Sequence, residues 1–155
     1  MCEILFRGKR KSDSEWVYGY YVQTNDFLDE RKLNLIFEAN SVNYPHGEIV
    51  GVHEVDPDMV GQYTGLTDKN DTKIFDGDIL HFGDKNYLVF WNGECFQWQM
   101  RIRKDGFSFP IYCGQDTGYP VECITLDWVA AEIPILGTMS TEIVGNIYDN
   151  PELLK

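Results

Sequence analysis

Residues 55–80, VDPDMVGQYTGLTDKNDTKIFDGDIL, carry glycine, proline, aspartate or asparagine so densely that no long helix fits them. Gly61 and Gly65 limit any helix to about one turn, because glycine loses the most backbone freedom when held helical. Asp56-Pro57 reads as a helix start: the carboxylate can cap, and Pro57 suits the first helical position, where its missing N–H costs nothing. A short helical turn is therefore predicted over residues 56–62. Residues 67–71, TDKND, predict a tight turn. Strands are predicted over 72–75 and 79–82, interrupted at Asp76-Gly77-Asp78, where Gly77 is expected to take a positive φ in a bulge.

Strand signals dominate the rest. Residues 3–6 (EILF) and 15–23 (EWVYGYYVQ) flank the polar stretch GKRKSDS and predict a hairpin with a long loop. In its second arm Trp16, Tyr18 and Tyr20 share one face, with Val17 and Tyr21 on the other. Residues 25–40 fit a short helix or a strand, and the alternation of Leu33, Leu35 and Phe37 favours a strand over 33–38. A turn is predicted at 44–47 and a strand at 48–55. Gly83-Asp84 and Asn92-Gly93 close two more hairpins, around strands at 87–91 and 95–101. A loop at 114–120, strands at 121–126, 133–136 and 142–148, and a helical turn from Asn150-Pro151 to Leu154 complete the chain. Short strands joined by turns of two to four residues predict an all-β fold of several small antiparallel sheets with a partial β-barrel, and helix only in short turns. At 155 residues the chain is expected to form one domain, residues 1–155, with a core that needs neither metal nor disulfide.

The formal charge of -12 opposes general nucleic-acid binding, since such a surface repels phosphate backbones. Arg7, Lys9, Arg10 and Lys11 form one local exception, Arg101, Arg103 and Lys104 another; both read as solvated hairpin tips. Cys2, Cys95, Cys113 and Cys123 lack C-x-x-C spacing, and His46, His53 and His81 lack any metal-binding spacing. The N-terminus has no apolar core for an export signal, and no apolar run is long enough to span a membrane. The cysteines are expected to be free thiols in a cytoplasmic protein, with no cofactor and no membrane partner.

Two sets of residues carry candidate sites. Asp56, Asp58, Asp68, Asp71, Asp76 and Asp78 could hold a divalent metal for phosphoryl chemistry. The structural alternative is that all six sit at turns and caps, where aspartate bonds nearby N–H groups, and the sequence favours it. A calcium loop from Asp68 fails, because Lys73 stands where glycine is needed and Ile79 where glutamate is needed. No serine lies in a nucleophile motif, and residues 61–65 lack the lysine of a phosphate loop. Cys95 or Cys113 with a histidine could form a thiol dyad, but a cysteine on a strand more often packs as a small apolar residue. The second set is aromatic: Tyr87, Phe90, Trp91, Phe96 and Trp98, with Arg101 and Arg103 nearby, could stack on single-stranded nucleic acid. The net charge favours core packing with a few rings left at a protein–protein surface.

Residues 55–80 together with EIVGNIYDNPELL at 142–154 resemble the YopX family of phage and prophage proteins, and ILFRGK…WVYGYYV resembles that family's N-terminal hairpin. The resemblance implies an all-β architecture with a partial barrel and supplies no catalytic or ligand residues. One departure stands out. The turn commonly written Asn-Gly reads Asn70-Asp71 here, which predicts a longer turn or another type, because aspartate tolerates the left-handed region less well.

The expected function is that of a phage accessory protein of unknown molecular role, a non-enzymatic module that binds another protein or itself. The alternative is a metal-dependent enzyme or nucleic-acid-processing factor using the carboxylates between Asp56 and Asp78. Convergence of those carboxylates would favour the enzyme, and their dispersal the binder.

Overall fold

A computed structural model describes residues 3–38, 42–43, 48–49, 51–94, 96–102, 108–110 and 141–155. The chain divides into two compact units, Met1–Gly65 and Leu66–Lys155. Among the described residues the elements are strands β1 to β12 and one terminal 3-10 turn, so the all-β expectation holds.

The first unit contains β1 (Phe6–Arg10), β2 (Trp16–Asn25), β3 (Lys32–Phe37), β4 (Val42–Asn43), β5 (Glu48–Ile49) and most of β6 (Val52–Thr67). β1 pairs with β2 and β6, β2 with β3, and β3 with β6, all antiparallel, which closes the sheet part-way into a ring. β4 and β5 pair separately. Alternation along β2 turns Val17 and Tyr21 inward, and Val17, Ile36 and Val55 form a core against which Phe6, Tyr21 and Val60 pack. Full burial of Ile36 and Val55 contributes about 1.5–3 kcal/mol each.

β2 pairs with β1 up to Gly19 and with β3 from Tyr20 onward. At that changeover β3 runs so close that a Cβ on Gly19 would overlap the Phe37 carbonyl. Only glycine permits this approach.

Two expectations are corrected here. The first hairpin lies further along than residues 3–6 suggest: β1 spans Phe6–Arg10, and the turn occupies 11–13. Gly8 faces Ile36 and Val55 while Arg7 and Lys9 point to the other face, so a basic stretch is a strand. Only Lys11 of that cluster sits in the turn, and Arg7 is buried. The helical turn over residues 56–62 is also absent, because those residues lie in β6. Opposite the β1 step from Gly8 to Arg10, β6 runs from Val60 back to Val55, so residues 56–59 bulge from the ladder. Asp56 does accept the Asp58 N–H at 3.0 Å, but this capping chemistry serves a bulge at Pro57, which has no ladder donor to give.

The second unit contains β7 (Lys73–Phe75), β8 (Asp78–Phe82), β9 (Lys85–Asn92), β10 (Gln97–Arg101), β11 (Ser108–Pro110) and β12 (Glu142–Asn146), ending in a 3-10 turn at Pro151–Leu154. The last five strands form a sheet in the order β11-β10-β9-β8-β12. Ile74, Leu80 and Val89 make its core, with Leu66, Trp98 and Ile143 against them. Gly83-Asp84 is a two-residue hairpin turn between Phe82 and Lys85, as expected. Asp71 takes the left-handed conformation itself, at φ 61°. The expectations for residues 44–47, 114–120, 121–126 and 133–136 lie outside the described residues.

Gly77 takes the expected positive φ, 83°, but in a turn that leads from β7 to β8 and not in the expected bulge, and a Cβ there would lie 3.0 Å from Tyr148 Cε2. Gly77→Ala should cost about 1–2 kcal/mol, from the strained backbone and the displaced ring. Urea denaturation checks this, and an unchanged midpoint would contradict it.

Candidate functional site

The six carboxylates do not share one environment. Asp56 and Asp58 lie on the bulge in β6, which corrects their assignment to a helix start. Asp68 and Asp71 lie in the turn after β6, and Asp76 and Asp78 around the β7–β8 turn. Among the described residues no three histidine, cysteine, aspartate or glutamate side chains come together as a metal site. Asp78 is buried and accepts the Phe75 N–H at 2.7 Å, which fixes the turn that holds Gly77.

Asp68 is the most constrained of the six. Its Oδ1 accepts the N–H groups of Asn70 at 2.8 Å and Thr72 at 2.9 Å, and its Oδ2 accepts that of Ile143 at 3.1 Å. Burial alone would raise its pKa, but the Ile143, Thr72 and Asn70 donors outweigh it and hold the carboxyl below 3.8. The turn at residues 67–71 is thereby tied to β12. Lys69 adds a parallel link, through its N–H to the Thr141 carbonyl at 3.0 Å and its Nζ to Glu142 at 2.6 Å. This carboxylate has its lone pairs directed at backbone donors, which is the chemistry of a structural clasp.

The histidines are similarly engaged. His53 Nε2 lies 2.8 Å from Glu38, and His81 Nδ1 lies 2.8 Å from Asn86 Oδ1. His46, all four cysteines, Arg103 and Lys104 lie outside the described residues.

The aromatic candidates of the second unit separate. Trp98 packs on the core and meets Trp91 edge-on at 5.1 Å, while Arg101 stacks over Phe90 at 4.3 Å. Phe96, in the β9–β10 loop, is exposed, and Trp91 is partly so.

Among the described residues most of the exposed large apolar side chains lie in the first unit. Tyr18, Tyr20 and Val22 stand on the outer face of β2, where Tyr20 is 56% exposed. The register sets Tyr20 opposite Phe37 and Val22 opposite Leu35, both half-buried on that face. At the tip of the β2–β3 hairpin Phe27 and Leu28 are 97% and 90% exposed. The other end of the stripe is basic. Arg7 lies 4.9 Å and Lys9 5.7 Å from the centre of the Trp16 ring. On β6 Glu54 accepts from Lys11 at 2.7 Å and Arg31 at 3.1 Å; the Lys11 bond first, then both positive charges, lower its pKa against desolvation. Period-two alternation revealed the shared face of Trp16, Tyr18 and Tyr20 in the sequence. Their exposure, and that of Phe27 and Leu28, needed the strand pairing.

Antiparallel sheets, one of them partly closed into a ring, define the class as all-β. A sequence model of the YopX protein matches residues 5–155, and the chain belongs to the YopX family. The crystal structure of protein EF1440 from Enterococcus faecalis covers the whole of this chain and of its own, with a TM-score of 0.52 and 23% identity, a likeness of fold alone. No curated protein matches. Among the described residues no helix is long and apolar enough to cross a membrane.

Asp68→Ala should destabilise the protein by about 2–4 kcal/mol, because three backbone donors lose a charged acceptor. The sign with pH follows from the lowered folded-state pKa. As pH falls the unfolded chain takes up the proton first, so the contribution is complete above about pH 5 and fades as pH falls through the folded value. Asp68→Asn should therefore lose less stability than the parent between about pH 5 and pH 3. Equal losses in urea titrations would contradict the clasp.

Proposed function

We propose that this protein is a non-enzymatic protein-binding module, a cytoplasmic accessory protein encoded by a phage or prophage, that works through the outer face of the β2–β3 hairpin. The observation that carries the proposal is the concentration of exposed apolar groups there: Tyr18, Tyr20 and Val22 on the strand and Phe27 and Leu28 at the tip. Contiguous apolar surface costs solubility unless a partner covers it, and aromatic rings with a polar rim are the usual composition of such a partner site. The rim is present in Lys11, Arg31 and Glu54. Nucleic acid is disfavoured as the partner by the net charge of -12, which outweighs the local cations Arg7 and Lys9 at long range. The spread of Asp56 to Asp78 over a bulge and two turns supports the binder over the metal enzyme.

The test is a photo-crosslinking amino acid at Tyr20 in cells producing the protein, with the same group at the exposed Lys85 as control. Tyr20 should give discrete protein adducts that Lys85 does not, and the purified protein should show no nuclease turnover with magnesium or manganese. Metal-dependent turnover lost on Asp76→Asn and Asp78→Asn, or the absence of adducts at Tyr20, would overturn the proposal.

A further inference from the structure

Asn92 is the only asparagine of the chain that is followed by glycine. It ends β9 opposite Gln97 of β10, and Gly93 and Glu94 follow it as exposed residues of the connecting turn. Its side-chain amide is held at both ends. Oδ1 accepts the Glu94 N–H at 2.9 Å, and Nδ2 donates to Oε1 of the buried Gln99 at 2.9 Å. The Glu94 bond closes a ring that has the Gly93 nitrogen as a member, so the amide carbon Cγ is folded back over the Gly93 peptide. Among the described residues nothing accepts the Gly93 N–H, which leaves that nitrogen open to a base from solvent.

We propose that Asn92-Gly93 is a self-modification site, at which the folded hairpin converts Asn92 to aspartate and isoaspartate with water as the only co-reactant. Gly93 gives its amide proton to hydroxide, and its nitrogen attacks Cγ of Asn92. The new C–N bond closes a cyclic imide. The bond from Cγ to Nδ2 breaks, and Nδ2 leaves as ammonia with a proton from water. A water molecule then opens the imide. Cleavage at Cγ restores the main chain and leaves aspartate; cleavage at the main-chain carbonyl of residue 92 leaves the chain running through Cγ, as isoaspartate. Nothing is oxidised or reduced. The site is independent of the binding role proposed for the β2–β3 face.

Three features favour the step. The Glu94 N–H already bonds the oxygen that takes up negative charge as the nitrogen adds, as an oxyanion-hole donor does. The turn holds nucleophile and carbon in one conformation, which removes part of the entropic cost of bringing them together. Glycine sets no side chain beside the attacking nitrogen. Every other asparagine precedes a residue with a side chain, and Asn150 precedes Pro151, which has no N–H to lose. The product differs where it matters to the hairpin. A carboxylate at residue 92 has no donor for Gln99, and isoaspartate adds a methylene to the main chain where Asn92 pairs with Gln97.

Peptide mass mapping of the full chain, kept folded in mildly alkaline buffer, tests this. The peptide containing residue 92 should be the first asparagine peptide to exchange the mass of an amide for that of an acid, in two forms separable by chromatography. Gly93→Ala should slow the conversion about tenfold or more and keep the parent's circular dichroism, because a Cβ at Gly93 meets no atom within 4 Å. An Asn92 that converts in the urea-unfolded chain but stays an amide in the folded one overturns the inference. So does a Gly93→Ala chain that converts as fast as the parent, or another asparagine that converts before Asn92.

Discussion

The first unit depends on one close approach, that of the β3 backbone at Phe37 to Gly19 of β2. β2 exchanges partners there: residues before the glycine complete the ring with β1, and those after it run out along β3. A side chain at this point would force the strands apart, and the core of Val17, Ile36 and Val55 would lose its closure. The same glycine frees the distal half of β2 from β1, so one backbone constraint both seals the core and creates the open edge. The closed core and the open edge are two consequences of a missing Cβ.

The second unit is organised by charge-assisted hydrogen bonding. Asp68 gathers donors from its own turn and from Ile143, far along the chain, and so pins β12 beside the turn that leads into β7. Asp78 does the same on a smaller scale for the β7–β8 turn. Acids bound in this way are poor candidates for metal ligation, because their lone pairs already point at backbone N–H groups. The density of aspartate that suggested phosphoryl chemistry is explained at these positions by turn construction.

Much of this was legible in the sequence because turn chemistry and period two are local. Gly77, Gly83-Asp84, the 67–71 turn and the final Asn-Pro turn all stand where residue type placed them. What misled was chemistry shared by two structures. Asp-Pro serves a helix start and a bulge equally well, and only the pairing of β6 with β1 decides between them. The basic run Arg7 to Lys11 looked like a loop because its inward residue, Gly8, is too small to register as apolar. The exposed apolar stripe was half visible: alternation gave the face of β2, but which of its residues stay exposed is a fact of tertiary packing.

Among the described residues the edge of β2 over 20–25 that faces away from β3 carries no strand, because β1 pairs with β2 only as far as Gly19. Amide hydrogen exchange across residues 20–25 reads this directly. Amides that bond to β3 should exchange slowly and those turned to the open edge quickly. Uniformly slow exchange across residues 20–25 would contradict it.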